Sequence, residues 1–311
     1  MSSFCPYCSR LKKAFENHNY CSNAGDNIHS IKSNTFYLSA NQLHSGEHIS
    51  RLSIRGVLKG YQYYRVGQKD CVIQKDNYLI TNEGQKWYSD IVDTEESVEI
   101  LIVAFQHNFL SQAIHSLTAS SKRLLDAPFS ERSNPIAFLE STYPNDQAIQ
   151  QIFLQLKNAI ASEHQEALMY DTLHFDLLQL IFQKHQDTLK QAELIPAKNK
   201  TIQEELYRRI AIAKDYIDAH LGQKLALTEV SRVAALSPFH FLRLFKAIYQ
   251  ITPYQYLTQK CMKYAHYLLT TSSKTVKEIS LESGYENNSA FSRTFKQTYQ
   301  ITPSELRNNL I

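Results

Sequence analysis

Long apolar runs are missing from this sequence, although 43% of its 311 residues are apolar. No stretch approaches the roughly 18 uninterrupted apolar residues of a membrane-spanning helix, and no signal peptide is recognisable at the start. The five cysteines lack the regular spacing of a disulfide framework. We therefore expect a reduced, cytoplasmic protein without a membrane segment, large enough for two domains with hydrophobic cores of their own.

A motif typical of glutaredoxins is present near the N-terminus, but the elements that such an enzyme needs are not. Residues 4–8 read FCPYC, and only four residues precede Cys5. That is too few for the β-strand before this motif in the thioredoxin fold, and no βαβ unit follows. We predict no catalytic residues, no cofactor and no bound metal. Two alternatives stay open: a dithiol oxidoreductase, and a metal- or thiol-sensing segment with zinc ligands from Cys5, Cys8, Cys21 and either His18 or His29.

A thirteen-residue stretch near the C-terminus occurs twice. Residues 241–253 read FLRLFKAIYQITP and residues 291–303 read FSRTFKQTYQITP, so that nine of the thirteen positions match at an offset of 50. Upstream, residues 229–231 (EVS) correspond to residues 278–280 (EIS) at an offset of 49, which leaves one extra residue in the second copy. A repeat at fixed spacing indicates one supersecondary unit that is used twice.

Each copy is predicted to form two short helices joined by a tight turn. In the first copy, Thr228 and Ser237 are suitable N-caps for the two helices. In the second copy, Thr275 opens a capping box, Gly284 can end the helix in the left-handed conformation, and Asn287 marks the next start. This pattern is typical of the helix-turn-helix, whose second helix enters the DNA major groove.

The second helix of each copy has one apolar face and one polar face. Phe241, Phe245 and Ile248 in the first copy, and Phe291 and Phe295 in the second, recur at helical spacing and are predicted to be buried. The opposite face suits a DNA groove, because arginine can donate two hydrogen bonds to guanine, asparagine can pair with adenine and lysine can contact phosphate. A merely solvated face does not explain why the Arg-x-x-Lys placement is duplicated. The predicted DNA-binding residues are Ser237, Phe239, His240, Leu242, Arg243, Lys246, Asn288, Ser289, Ser292, Arg293 and Lys296.

A long helix is predicted between the two copies, capped by Thr252 and Pro253 and continuing to about Thr271. Its apolar stripe consists of Leu257, Cys261, Ala265, Leu268 and Leu269. About 18 residues at 1.5 Å each make a rod of ~27 Å, comparable with the ~34 Å of one DNA turn. Such a rod could hold the second helices of both copies in successive major grooves.

The charge distribution agrees with nucleic-acid binding by the C-terminal part. Residues 201–311 contain 14 Lys plus Arg against 9 Asp plus Glu, a net charge of +5, whereas the remainder has 19 against 21, a net charge of −2. A basic end on a near-neutral body is typical of DNA-binding proteins. The excess is modest, so we expect more than one such domain at each DNA site.

Over residues 206–308 the sequence resembles the DNA-binding domain of the AraC/XylS family of bacterial transcription regulators. The Phe-x-Arg-x-Phe-Lys pattern of that family is matched by residues 241–246 and again by residues 291–296. Its C-terminal signature is matched further by EIS at 278–280, GY at 284–285 and TPSELR at 302–307. The resemblance implies a domain of two helix-turn-helix units that binds promoter DNA.

Three positions depart from the family pattern. The linking helix has Cys261 where the family commonly has arginine, which puts a phosphate or salt-bridge role there in doubt. Gln250 and Gln300 stand where glycine commonly precedes the hydrophobic-Thr-Pro triplet. Because glutamine adopts the left-handed conformation at a higher cost than glycine, we expect these two helix ends to close differently.

Residues 36–106 are predicted to form a cupin-like antiparallel β-barrel. Short β-branched or aromatic runs alternate there with turn-forming Gly, Asp and Asn residues, which is typical of barrels and sandwiches. In the resembled family a cupin-like barrel in this position often binds a small effector. His44 and His48 lack the metal-binding pattern of cupins and are expected on a solvated loop. We predict a metal-free effector pocket; the alternative is that its four residues are ordinary core and surface aromatics. They are Tyr61, Tyr63, Trp87 and Tyr88.

The sequence thus predicts an α+β protein whose barrel is followed by helices and then by an all-α C-terminal domain. Helices are predicted over residues 109–125 and around residues 149–160 and 173–181, where they pack on the barrel or pair across a homodimer. The predicted segments are an N-terminal arm with the CxxC motif (1–30), a cupin-like effector-sensing and dimerisation domain (31–186), a linker (187–203) and the DNA-binding domain (204–311). The predicted function is a transcription activator without catalysis, with promoter DNA, RNA polymerase and a small-molecule effector as partners.

Overall fold

The computed structural model describes residues 33–40, 43–91, 97–118, 137–161, 167–223 and 225–309. The chain divides into two compact units, Met1–Lys190 and Gln191–Ile311, which we call the N-terminal unit and the C-terminal unit. The arm over residues 1–30 lies outside the described residues, and with it the candidate zinc ligands Cys5, Cys8, Cys21, His18 and His29.

Two antiparallel sheets make up the β structure of the N-terminal unit. One sheet has five strands in the order β1-β8-β3-β6-β9, and the other has four strands in the order β2-β7-β4-β5. The strands are β1 (Ser33–Ala40), β2 (Leu43–Ile49), β3 (Ser53–Lys59), β4 (Tyr61–Val66), β5 (Lys69–Gln74), β6 (Asn77–Thr81), β7 (Lys86–Ile91), β8 (Val98–Phe105) and β9 (Thr142–Pro144).

The two sheets pack face to face as a β-sandwich. The first four strands alternate between the sheets, as they do in double-sheet jelly rolls. Within the described ranges no strand of one sheet pairs with a strand of the other, so the two sheets do not close into the predicted cupin-like barrel. The antiparallel β structure ahead of the helices is confirmed. The sequence could not distinguish the two architectures, because both use short strands with the same alternation.

Alternation along the strands gives the five-stranded sheet two different apolar faces. One face packs against the four-stranded sheet, and Val57, Leu79 and Ile100 share a core there with Tyr64 and Trp87. The other face packs against helices. Its core residues are Ile54, Tyr78, Ile80, Leu101, Val103 and Phe105 from the strands, with Phe109, Phe153, Leu156, Leu177 and Ile181 from the helices.

Three helices belong largely to the N-terminal unit: α1 (His107–Thr118), α2 (Gln147–Ala161) and α3 (Ala167–Ala192). The helix predicted over residues 109–125 is present as α1 up to Thr118. Residues 119–136 lie outside the described ranges. The other two predicted helices are confirmed. Helix α2 approaches β3 so closely that a Cβ atom at Gly56 would collide with the ring of Phe153. Only glycine fits at this point of the sheet.

The C-terminal unit consists of helices throughout its described residues. They are α4 (Lys200–Ala219), α5 (Leu227–Val233), α6 (Pro238–Tyr249), α7 (Pro253–Thr271), α8 (Val276–Glu282), α9 (Asn288–Tyr299) and α10 (Pro303–Asn308).

The connection into the C-terminal unit is shorter than the predicted linker over residues 187–203. Helix α3 continues to Ala192, and α4 begins at Lys200 with Asn199 as its N-cap. The non-helical residues between them are held to α4 by hydrogen bonds: the side chain of Gln203 donates to the Ile195 carbonyl oxygen at 2.9 Å. These non-helical residues therefore pack within the C-terminal unit.

Most of the predicted helix caps are present. Ser237 and Asn287 accept hydrogen bonds from the first turns of α6 and α9, and Thr252, Thr275 and Thr302 each form a capping box. The prediction for Thr228 is wrong, because the N-cap of α5 is Ala226, two residues earlier, and no side chain caps the helix.

The prediction that Gln250 and Gln300 close their helices differently from glycine is also wrong. Both residues adopt the left-handed conformation, with φ of 62° and 60°. Their side-chain amides donate to backbone carbonyl oxygens in the last helical turn, of Ala247 at 2.7 Å and of Gln297 at 3.2 Å. These hydrogen bonds satisfy helix-end acceptors that glycine would leave to solvent, which offsets the cost of the conformation.

Candidate DNA-binding interface

Helices α6 and α9 are the equivalent second helices of the two repeat copies. Phe241 and Phe245 on α6, and Phe291 and Phe295 on α9, are fully buried, as their spacing predicts. The two rings of each pair are in contact at a tilted angle, with centroids 5.5 Å apart on α6 and 5.9 Å apart on α9. The repeated aromatic pair therefore fixes which face of each helix is turned to solvent.

All eleven predicted DNA-binding residues lie on α6 or α9, or cap them. Arg243, Lys246, Arg293 and Lys296 are exposed. Ser237, Phe239, Asn288 and Ser289 are exposed as well, and His240, Leu242 and Ser292 are half-buried. The hydroxyl of Ser237 also accepts the backbone N–H of His240 at 3.4 Å, so it has a structural role as the N-cap of α6.

Cations on the exposed faces of α6 and α9 differ in pairing from two arginines of α4. Arg208 and Arg209 form ion pairs with Glu205 on α4, at 2.8 Å in each case. By contrast, no ion pair or hydrogen bond is made by the side chains of Arg243, Lys246 and Arg293 within the described part of the chain. An unpaired surface cation can bind an external anion without first breaking an internal pair.

The turns that orient α6 and α9 have the same backbone conformation despite different residues. Ala235 after α5 and Gly284 after α8 both have positive φ, of 51° and 83°. They correspond at the offset of 49, and the extra residue of the second copy, Glu286, comes after this point. The insertion therefore lies between the left-handed residue and the N-cap of α9.

Helix α7 joins the two helix-turn-helix units. Its 19 residues span about 28 Å at 1.5 Å per residue. Met262 and Leu269 of α7 share a core with Phe291 and Phe295 of α9. Cys261 lies in the same core and is 5% exposed, so this position faces inward and could not present an arginine to DNA phosphate.

A buried group of charged and hydroxyl side chains ties α7 to α4. The Tyr256 hydroxyl donates to both carboxylate oxygens of Asp218 at 2.9 Å. Lys214 contacts Asp215 at 2.7 Å and Asp218 at 3.2 Å. Burial alone would lower the pKa of Lys214, but Asp215, Tyr256 and Asp218 raise it well above its ordinary value. The lysine therefore stays charged, and the cluster holds the start of α7 in place.

One exposed aromatic residue was missed by the sequence analysis. Tyr254, in the first turn of α7, is 78% exposed, like the predicted Phe239 in the first turn of α6, which is 77% exposed. The repeat comparison could not single it out, because the corresponding residue of the second copy is Ser304. Exposed aromatic side chains of this size suit contact with a partner surface.

The four residues predicted to line an effector pocket are not brought together. Trp87 faces the other sheet and is 1% exposed. Tyr61 and Tyr63 alternate along β4 with the buried Gln62 and Tyr64, so they lie on the opposite, outer face. Tyr88 is on that face too, and its hydroxyl donates to Glu47 at 2.5 Å. One pocket cannot contain all four.

The prediction that places His44 and His48 on a loop is wrong. His48 lies on β2, not on a solvated loop; it is 7% exposed and stacks on Trp87 at 4.7 Å between ring centroids. His44 lies on the same strand. A cavity of about 280 Å³ beside the start of α1 is lined by other residues, among them Arg51, Glu83 and His107.

The described residues contain neither a candidate membrane span nor a candidate metal site. No described helix is long and apolar enough to cross a membrane. No group of three or more described His, Cys, Asp or Glu side chains has metal-binding geometry.

A family of known proteins matches part of the C-terminal unit. The family model described as "Helix-turn-helix domain" matches residues 230–309. The probable transcriptional regulator LumQ of Photobacterium leiognathi is 32% identical over 95 residues, which cover 30% of this chain and 38% of LumQ. The Tn10 TetD protein of Escherichia coli is 32% identical over 94 residues, which cover 30% of this chain and 68% of TetD.

A solved structure is similar in the same way. The C-terminal domain of the two-component response regulator yesN from Fusobacterium nucleatum is 31% identical, with a TM-score of 0.30, and the match covers 30% of this chain and 93% of that one. The chain spans 38% of the length of LumQ, so the likeness concerns the helix-turn-helix part of that relative. The match to the TetD protein, together with the doubled Phe-x-Arg-x-Phe-Lys motif on α6 and α9, shows that the chain belongs to the AraC family of helix-turn-helix transcriptional regulators.

Proposed function

We propose that this protein is a transcription activator that inserts α6 and α9 into successive major grooves of promoter DNA when a small effector acts on the N-terminal unit. The observation that carries the proposal is the matched placement of Arg243 and Arg293, each followed three residues later by an exposed lysine. The arginines provide the planar donors that recognise guanine, and the lysines provide point charges for phosphate.

The helices behind these side chains support the same proposal. Helix α7 is about one DNA turn long and packs on the core of α9. The cluster around Asp218 fixes its other end to α4. A rod held at both ends presents two recognition helices at a set separation, which suits two half-sites on one face of the duplex.

We further propose that the protein forms a homodimer, contacts RNA polymerase and is located in the cytoplasm. The net charge of +5 over residues 201–311 is small for a DNA-binding domain, and two copies at one operator would double the number of phosphate contacts. Activation in turn requires that the bound protein recruit the polymerase. Catalysis has no part in the proposal.

The experiment begins with selection of bound fragments from genomic DNA, which supplies the operator. Arg243→Ala and Arg293→Ala are then compared with the wild type on the operator and on random DNA. We expect each variant to lose about 1–3 kcal/mol on the operator and much less on random DNA, since a bidentate base contact contributes that much discrimination.

The matched control is Arg65→Ala, which removes the same charge from the N-terminal unit, where Arg65 pairs with Asp70 on the solvent-facing side of β4. It should bind the operator like the wild type. Equal losses on operator and random DNA for both recognition-helix variants would mean that the two arginines contact only phosphates. No enrichment of any sequence in the selection would refute the proposed function itself.

A further inference from the structure

A fully buried arginine lies between the two sheets of the N-terminal unit. Arg55 on β3 is 0% exposed. Its guanidinium carbon is 4.2 Å from the centroid of the Trp87 ring and 5.7 Å from that of Tyr64. One terminal nitrogen, Nη1, donates to the hydroxyls of Ser53, at 3.0 Å, and of Thr81. The guanidinium thus has aromatic and hydroxyl neighbours, and no carboxylate pairs with it among the described residues.

The remaining donors of Arg55 are unsatisfied. Its Nε and Nη2 atoms are buried and have no hydrogen-bond partner in the described part of the chain. Burial lowers the pKa of Arg55 to about 10, so the group still carries its charge at neutral pH. A buried cation with open donors is strongly unfavourable unless an anion reaches it, and contact with aromatic rings offsets only part of that cost.

The two open nitrogens are the pair with which this protein grips carboxylates elsewhere. Arg65 holds Asp70 through Nε at 2.6 Å and Nη2 at 3.2 Å. Arg208 holds Glu205 through the same two atoms at 2.8 Å and 3.0 Å. This edge of the guanidinium is a planar fork that matches the two oxygens of a carboxylate. In Arg55 the same edge is buried and has no hydrogen-bond partner among the described residues.

We propose that the interior of the sandwich binds a small organic carboxylate whose two oxygens accept hydrogen bonds from Nε and Nη2 of Arg55. The surroundings define the rest of the ligand. Trp87, Tyr64 and the apolar core between the sheets suit an aromatic or aliphatic body and exclude a highly hydrated dianion. Gln62, two residues from Tyr64 on the same face of β4, has a buried Oε1 atom without a partner. It would accept a hydrogen bond from a donor group on the ligand.

This site deepens the proposed sensing function, because it names the chemical class of the effector. Arg55 is sealed from solvent in this structure, so the ligand enters by a local opening of the sandwich. Binding then favours the closed, ligand-filled state and stabilises the N-terminal unit by mass action.

The test uses the full chain and its single tryptophan, because Trp87 packs directly on the guanidinium. Acetate, butyrate, decanoate and benzoate are titrated while Trp87 fluorescence and the melting temperature are recorded. The matched neutral probes are butyramide, decanol and benzamide, and sodium chloride and phosphate at equal ionic strength are further controls. We expect at least one carboxylate to give a saturable fluorescence change and a rise in melting temperature, with no such response to the neutral probes or the inorganic salts.

The matched variant is Arg55→Met, which keeps an unbranched apolar side chain, shorter by two heavy atoms, and removes the charge. It should fold with unchanged or higher stability, because replacing an unpaired buried charge by an apolar group removes its desolvation cost. It should bind the active carboxylate about 30-fold more weakly or worse. Arg65→Ala, which breaks an exposed pair, should leave carboxylate binding unchanged.

Several outcomes would overturn the inference: no response to any of the four carboxylates, an equal response to chloride or phosphate, or undiminished binding in Arg55→Met. Operator binding is measured on the same samples. Specific DNA binding without any carboxylate response removes this inference and leaves the proposed function standing. A carboxylate response without specific DNA binding supports the carboxylate site and removes the proposed function.

Discussion

The left-handed residue in each helix-turn-helix shows how two copies of one repeat keep a backbone while the side chains diverge. The sequence predicts this conformation for Gly284, because glycine adopts it without steric cost. Nothing in the sequence predicts it for Ala235, whose φ is 51°. A Cβ atom costs about 1–2 kcal/mol in this region, so the first copy folds with a strain that the second copy lacks.

Replacing Ala235 with glycine should therefore stabilise the C-terminal unit. The gain is about 0.5 kcal/mol, because the relief of strain exceeds by a small margin the extra entropy that glycine loses on folding. Urea unfolding followed by far-ultraviolet circular dichroism measures it. Trp87 fluorescence, which reports on the N-terminal unit, should not change.

The opposite exchange is the matched control. Gly284→Ala places a Cβ atom in the left-handed region and 3.1 Å from the Gly222 carbonyl oxygen, and should cost about 2 kcal/mol. A loss of stability in Ala235→Gly would show that the alanine methyl group makes a contact more valuable than the strain it causes.

Arg55 marks the limit of prediction at the level of single residues. Arginine is almost never fully buried without a partner, so the sequence alone predicts that Arg55 is exposed. Its burial follows from its position on β3, between the inward-facing Ser53 and Val57. That position becomes known only once the strand register is known.

At the scale of elements, the strands of the N-terminal unit were recognisable but their faces were not. Segment 61–66 reads YQYYRV, with tyrosines on both sides of the alternation. The buried side carries Gln62 and Tyr64, and the outer side carries Tyr61 and Tyr63. Hydrophobic periodicity assigns a face only when polar residues avoid the core. The pocket prediction therefore combined side chains from two faces.

The helices were predicted more closely, because the signals that begin and end them are local. Thr275 forms the expected capping box, and Thr252 caps its helix as expected. Thr228 misleads, because the hydroxyl of a residue inside the first turn is not needed once the helix starts at Leu227. Cap signals fix a helix end to within a residue or two.

Helix α3 gives the N-terminal unit a pH-dependent stability. Its His174 and His185 are 0% and 5% exposed, and burial lowers the pKa of each to about 4, from an ordinary value of 6.5. Both pKa values are lower in the folded chain, so the unfolded chain binds more protons between pH 6.5 and about 4. The free energy of unfolding is unaffected above pH 6.5, falls as the pH drops through that window, and levels off for these groups below it.

Each histidine can account for about 3 kcal/mol over the full window, at about 1.4 kcal/mol per pH unit. We expect His174→Gln to remove its share of the pH dependence, as measured by urea unfolding with Trp87 fluorescence between pH 7 and pH 4.5. The control is His107→Gln on the exposed start of α1, which should keep the wild-type slope. An unchanged slope in His174→Gln would mean that this histidine is protonated equally in both states.

At the scale of the whole molecule, prediction succeeded where one motif carries the architecture and failed where distant segments must meet. The C-terminal unit is specified by a repeat, and within each copy the caps and the aromatic pair lie close together in the sequence. The inter-sheet core of the N-terminal unit combines residues such as Phe36 and Ile100, from strands far apart in sequence. No local pattern encodes that pairing.

The two-groove arrangement makes a prediction about the lysines that differs from the one about the arginines. Lys246 and Lys296 are exposed near the C-terminal ends of α6 and α9, where a point charge contacts phosphate whatever the base sequence. Each phosphate contact contributes about 0.9 to the slope of log K against log salt. The double variant Lys246→Ala/Lys296→Ala should therefore lower that slope by about 2, and the loss should be equal on operator and random DNA.

The spacing between the two half-sites of the operator provides the control for this experiment. If α7 sets the distance between two half-sites, an operator lengthened by about 5 base pairs between them turns one half-site to the far side of the duplex. The wild type should then bind the lengthened operator with the affinity and salt slope of a single helix-turn-helix, and Lys296→Ala should no longer alter either value there. A lengthened operator that binds as tightly as the original would show that the two recognition helices do not read one face of the DNA together. Because the wild type and Lys296→Ala differ by one exposed side chain, the comparison separates the contribution of α9 from any effect on folding.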